Sequence, residues 1–175
     1  MQQFIKEVLK YANKGKILDL GAGVGKQAEK FLATGASVTA VDKKKPKKQN
    51  QKIIWKKSRM EEFIFSSDFT DVYDVIFMQN IIQFLDKKWT LATLMPVLQR
   101  HLSKNGIIAI RTFYKNPIPP FNRAPLSLYK INTLLFLFKG WKVLFARQFK
   151  YDGPGLDGIK RRFYLSDLIV KNQKK

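Results

Sequence analysis

Cysteine is absent from the 175 residues and histidine occurs once, as His101. No disulfide framework can therefore staple the chain, and no Cys/His metal cluster can form. Long apolar runs are missing too. The longest, near Leu134 to Phe138, falls far short of the roughly 20 residues a membrane helix needs, so no membrane partner is expected. The opening Met1-Gln2-Gln3-Phe4-Ile5-Lys6-Glu7 puts charge where a secretory leader needs an unbroken apolar stretch. With the lack of cysteine, this points to a cytoplasmic protein. Acidic residues are scarce: 13 Asp and Glu face 33 Lys and Arg, for a net charge of +20. Such an imbalance is the footprint of a polyanion partner. Yet 26 of the basic residues are Lys and only 7 are Arg, whereas planar, bidentate recognition of phosphates and bases favours Arg. Composition leaves nucleic acid open as a partner, beside a simple lysine bias.

Apolar residues make up 45% of the chain, and its length fits one domain spanning residues 1–175. Phe4, Ile5, Val8, Leu9 and Ala12 recur at helical spacing. A short apolar run, Lys16 to Leu20, opens into Gly21-Ala22-Gly23-Val24-Gly25, and Ala28, Phe31 and Leu32 mark the helix that follows. Ser37 to Val41 reads as a β-branched second strand closed by Asp42, and Ile53-Ile54-Trp55 as a third. A short helix is expected over Glu61 to Phe65. Tyr73 to Met78 is apolar enough to be a strand buried on both faces. Thr90 to Leu102 is expected to be a helix kinked near Pro96, and Asn105-Gly106 to turn it into a fifth strand, Ile107 to Arg111. Asn116 to Pro120 reads as a loop, followed by a helix from Leu126 to Lys139. Trp141 to Tyr151 and Arg162 to Lys171 are expected to pair antiparallel across a glycine-rich loop. Low-complexity lysine segments, Lys43 to Lys48 and Lys174-Lys175, are expected to be disordered. Alternating strands and helices imply right-handed crossovers and an α/β sheet covered on both sides.

The densest signal is Asp19-x-Gly21-x-Gly23-x-Gly25, with Asp42 seventeen positions after Gly25 at the end of the second strand. Glycine lets the backbone turn tightly and approach a ligand, and the following helix aims free N–H groups at the same place. An acid at the tip of strand two can accept hydrogen bonds from both hydroxyls of a ribose. A dinucleotide fingerprint, Gly-x-Gly-x-x-Gly, would put its third glycine at position 26, which is Lys26.

This pattern, with the antiparallel strand pair at the end, resembles the class I S-adenosylmethionine-dependent methyltransferases, and the resemblance runs the whole chain. It implies a Rossmann-like, doubly wound, seven-stranded sheet, mostly parallel with the last strand antiparallel and helices on both faces. It implies S-adenosylmethionine as cofactor, over the carboxyl ends of strands one, two and four. Asp19 and the turn of Gly21, Ala22, Gly23 and Gly25 would meet the methionine end, and Asp42, with Lys43 beside it, the ribose. Ser58, Arg59 and Met60 would flank the adenine, and Gln79 and Asn80 the methionine portion. Many members have an Asp near the position of Arg59, so adenine recognition here would rest on backbone groups and Met60. Tyr73 to Leu85 looks like the compact methyltransferases of metabolites, including the tellurite-resistance type, which often carry a histidine where Gln83 stands.

The acceptor is not legible. No Asn/Asp-Pro-Pro-aromatic motif follows strand four, which argues against exocyclic amines of bases, and without cysteine the covalent route to pyrimidine carbon-5 is closed. Arg111, at the carboxyl end of an apolar strand, is a candidate to hold an anionic substrate, or else pairs with a carboxylate. Tyr114 is a candidate pocket wall or a core residue. His101 reads as a helix-end residue. A small-molecule acceptor is the leading expectation. The alternatives are an RNA or protein methyltransferase docking through Lys43 to Lys57 and Lys160-Arg161-Arg162, and a non-catalytic S-adenosylmethionine-binding protein.

Overall fold

In the computed structural model, which describes residues 2–12, 14–121, 125–155 and 157–173, the strands are β1 (Lys16–Leu20), β2 (Ser37–Asp42), β3 (Ile53–Lys57), β4 (Tyr73–Gln79), β5 (Leu102–Ile118), β6 (Lys142–Pro154) and β7 (Lys160–Lys171). They form one sheet in the order β3-β2-β1-β4-β5-β7-β6. The first five are parallel, and β7 lies antiparallel between β5 and β6. The expected doubly wound sheet with an antiparallel last strand is what forms. Chain order reverses between β1 and β4, and such a switch point opens a crevice at the carboxyl ends of the strands.

The helices are α1 (Gln2–Leu9), α2 (Lys26–Leu32), α3 (Met60–Phe63), α4 (Lys87–Trp89), α5 (Met95–Arg100) and α6 (Ile131–Leu137), with a 3-10 turn at Ile82–Phe84 and a π-helical stretch at Thr90–Leu94. Strand alternation sorts the core into two layers. Ile17, Val75, Phe77, Ile107, Ala109 and Ile169 pack with Phe4 and Val8 of α1 and Ala28 and Phe31 of α2. Leu18, Leu20, Ile76, Met78, Ile108 and Ile110 pack on the opposite face with residues of α3, α5 and α6. Phe77 sits at the centre of the first layer, stacked on Phe4 at 5.7 Å and edge-on to Phe31 at 5.1 Å.

Three expectations are corrected. The Asn116–Pro120 segment is strand as far as Ile118, because β5 keeps pairing with β7 there, Ile118 opposite Arg162, while beyond Gln79 its β4 side has no partner strand. A proline without an N–H is tolerated on such an edge, and β5 simply shifts register between Lys115 and Ile118 against β7. Residues 125–130 are not helical. Ser127 N–H donates to Gln83 O and Tyr129 N–H to Phe113 O, so this stretch is held extended and the helix begins at Ile131. The irregularity expected near Pro96 lies just before it: residues 87–100 are continuously helical, and a π-helical stretch ending at Leu94 widens the turn that faces the proline, which has no N–H to give. The lysine segment after β2 is an exposed loop tied at its start, since Lys44 N–H donates to Asp42 Oδ1. Lys174 and Lys175 lie outside the described residues.

Candidate cofactor and acceptor site

The glycine turn occupies the switch point. Gly21 and Gly25 both have positive φ, and added Cβ atoms would come within 2.7 Å of Ile81 and 2.8 Å of the Trp55 ring. At Gly23 a Cβ would meet nothing within 4 Å. The outer two glycines are thus required by the protein's own packing, and the middle one faces open space where a ligand can approach. Gly21 and Ala22 donate their N–H groups to Val41 O, and Gly23 N–H donates to Asp42 Oδ2 at 2.9 Å. Asp42 therefore holds the turn against the tip of β2, and each carboxylate oxygen keeps lone pairs for ribose hydroxyls.

Asp19 points from β1 toward the face of α1 and α2. It is 2% exposed and its Oδ2 has no hydrogen-bond partner. Burial, and then the nearby charge of Asp42, push its pKa from 3.8 to about 7. Two more orphaned polar atoms surround the same crevice: Gln27 Oε1 at the start of α2 and Asn80 Oδ1 after β4. Buried polar atoms are nearly always paired, so a cluster of three marks a place where a polar ligand supplies the missing bonds. Asn80 takes a left-handed backbone, φ 55°, with its N–H on Arg111 O. An acceptor-rich crevice with an open glycine turn fits the ammonium, ribose and sulfonium of S-adenosylmethionine.

At the adenine end the fit rests on the backbone. Arg59 is exposed and leans on Glu61 at 3.5 Å, and Ser58 Oγ bonds Arg59 O. Met60 does not offer its side chain to a ring: it is buried in the same core cluster as Leu20 and Val41. Lys43 is exposed beside Asp42.

A cavity of about 460 Å³ opens from Gln79 and Asn80 toward the β6–β7 hairpin. Its walls include Phe84, Phe113, Phe121, Tyr151 and Phe163, an aromatic lining that sequence reasoning missed. The signal was present as alternation: Arg147-x-Phe149-x-Tyr151 and Arg161-x-Phe163-x-Leu165-x-Asp167. Cross-strand register converts these into rungs. Arg111, Asp167 and Arg147 lie side by side, then Phe113, Leu165 and Phe149, then Phe163 and Tyr151.

The lowest rung settles Arg111. Its side chain is 1% exposed, and Nε and Nη2 donate to Asp167 Oδ1 and Oδ2 at 2.6 and 2.7 Å. It lies beneath the cavity, committed to a carboxylate, and is not available to an anionic substrate. Arg147 donates to the same Asp167 at 2.9 Å and to Gln3 of α1. Tyr114 points to the other face of β5, edge-on to Tyr164 at 5.8 Å, and Phe113 takes the wall position instead. His101 caps α5, with Nδ1 3.0 Å from Asp71 O and its ring on Phe69. No cluster of metal-ligating side chains exists among the described residues. None of the helices among them is long and apolar enough to cross a membrane.

A family model described as tellurite resistance protein TehB matches residues 2–148. No curated protein is similar in sequence. Among solved structures, TehB from Haemophilus influenzae superposes with a TM-score of 0.75 at 16% identity, covering 98% of this chain and 62% of its own. The chain thus spans less than two thirds of that protein. The 1,6-didemethyltoxoflavin N1-methyltransferase of Burkholderia thailandensis, solved with its substrate and S-adenosylhomocysteine, gives 0.69 at 14% identity, covering 99% and 80%. The N-methyltransferase NodS of Bradyrhizobium japonicum, with S-adenosylhomocysteine, gives 0.70 at 14%, covering 98% and 85%. These likenesses establish the methyltransferase fold.

Proposed function

The chain belongs to the tellurite resistance protein TehB family, and from that premise we propose that it is an S-adenosylmethionine-dependent methyltransferase acting in the cytoplasm on a small molecule. The observation that carries the reading is the convergence of orphaned Asp19 Oδ2, Gln27 Oε1 and Asn80 Oδ1 with the open glycine turn and Asp42. Asp42 would hold the ribose, Asp19 the methionine ammonium group, and the Gly21–Gly25 turn the chain between them. When bound, S-adenosylmethionine supplies an electrophilic methyl on sulfur, so the protein has chiefly to align an acceptor in line and exclude water. The cavity walls beyond Asn80 do both.

A small acceptor suits this geometry because the cavity is lined by rings from the 3-10 turn, β5 and the β6–β7 hairpin. Its volume lies in the range typical of small-ligand pockets. The neighbouring structure with bound 1,6-didemethyltoxoflavin is a small-molecule enzyme of the same fold. The macromolecular alternative draws on exposed Lys43, Lys44 and Lys45 at the rim by Asp42.

Calorimetric titration tests the reading. S-adenosylmethionine should bind and NADH should not, and Asp42→Ala should weaken the former about 10- to 100-fold, the worth of hydrogen bonds to a charged acceptor. Heat from NADH alone would refute it.

A further inference from the structure

The Gln83 side chain is the one feature of the acceptor cavity that the reading above leaves unused. It is 1% exposed, its Oε1 accepts from Thr112 Oγ1 at 3.2 Å, and its Nε2 lines the cavity with no partner. A buried amide N–H without a partner costs free energy unless a ligand supplies an acceptor. Around it stand the rings of Phe84, Phe113, Phe121, Tyr151 and Phe163.

We infer that the cavity takes a flat, uncharged ring compound, packed against this aromatic cluster, whose ring carbonyl or ring nitrogen accepts a hydrogen bond from Gln83 Nε2. Calling that compound the methyl acceptor rests on the reading above; its binding does not. Charge on the described walls favours a neutral ligand over the other classes. The one acidic residue among the described lining residues, Asp157, is held by Arg161 through two bonds of 2.6 and 2.8 Å. Lys26, exposed at the start of α2, is the one basic residue among them. Among the described lining residues an oxyanion would find Lys26 at the exposed rim and one orphaned buried donor, and deeper among the rings it would lose its hydration without replacement. A flat cation would need ring faces, but Arg161 already lies over Phe121 at 4.8 Å, and no carboxylate there is unneutralised. Rings of a neutral ligand can stack or meet edge-on with the remaining walls.

The experiment uses the full chain and calorimetry in three steps. S-adenosylhomocysteine is titrated first. Then 4-quinolone (flat, neutral, with a ring carbonyl), N-methylquinolinium (flat, cationic) and selenite (an oxyanion) are titrated with and without it. The series is repeated on Gln83→Leu and on Phe84→Ala, whose ring is partly exposed at the wall. 4-Quinolone should bind at least tenfold tighter than the other two. Gln83→Leu should weaken it about tenfold, the worth of one neutral hydrogen bond, with S-adenosylhomocysteine affinity unchanged. Phe84→Ala should weaken it as well, an independent readout should Gln83→Leu fold poorly. Equal or tighter binding of selenite or the cation, or indifference of 4-quinolone to both variants, overturns the inference. If S-adenosylhomocysteine does not bind while Gln83-dependent quinolone binding persists, the methyltransferase reading fails and the pocket assignment stands.

Discussion

Asp19 and Asp167 are both buried carboxylates, and their surroundings give them opposite parts. Asp167 is fully buried between Arg111 and Arg147, and its removal would leave buried guanidinium charge uncompensated. Asp167→Ala should lower stability by about 3–5 kcal/mol in urea unfolding, whereas Asp167→Leu with Arg111→Met and Arg147→Met should cost far less, since neither guanidinium is then left without its carboxylate. Asp19 has no cationic partner among the described residues, and its folded pKa of about 7 lies above the ordinary aspartate value of 3.8. The folded chain therefore holds that proton more tightly than the unfolded one, and stability falls as pH rises from about 4 to about 7. Asp19→Asn removes this dependence. The variant without ligand should gain on the wild type by roughly 4 kcal/mol between pH 4 and pH 8, while losing affinity for S-adenosylmethionine. Equal pH dependence of the two unfolding curves would show that Asp19 does not titrate in this range.

At the scale of elements, the turn between β1 and α2 is locked from outside by β3. Gly25 stands at φ 83° with the Trp55 ring where its Cβ would lie. Gly25→Ala should cost the left-handed strain of about 1–2 kcal/mol plus an overlap of about 1–3 kcal/mol. On a Trp55→Ala background only the strain should remain, so a double-mutant cycle should show a coupling of at least about 1 kcal/mol. The glycine was legible in the sequence as part of the motif, but its partner was not, because Trp55 reaches it across two strands of the sheet. The same holds for the β6–β7 hairpin. Its two strands were recognisable from alternation, yet the Phe113–Leu165–Phe149 rung depends on the register of three strands, and a one-residue slip would turn every ring to the opposite face.

For the molecule as a whole, the charge of +20 reaches the proposed site only at its rim, through Lys26 and the lysines after Asp42. The lysines after Asp42 are exposed, whereas the proposed acceptor cavity is lined by aromatics, with Asp157 of its wall neutralised by Arg161. Binding to a generic RNA should therefore be sequence-independent and fall steeply with salt, while S-adenosylmethionine affinity measured in the same buffers changes little. A salt-insensitive, sequence-selective RNA complex would instead favour the macromolecular alternative. The division of the core into two layers supports this separation. Phe4, Phe31 and Phe77 anchor α1 and α2 on the face that carries Asp19, so the rim can bear charge without disturbing the cofactor crevice.

By itself the amino-acid order determined the elements, the sheet's parallel character with an antiparallel end, and the place of the glycine turn and its two acids. These follow from local backbone preference, hydrophobic period and short-range spacing, all of which are written along the chain. Tertiary structure alone decided that Arg111 is an ion-pair partner and not a substrate anchor, that Met60 belongs to the core, that Phe113 and not Tyr114 walls the cavity, and that Gln83 aims an unpaired N–H into it. Each of these depends on which side chains meet across strands distant in sequence. That meeting is set by register and by the pleat, and neither can be read from one segment taken alone.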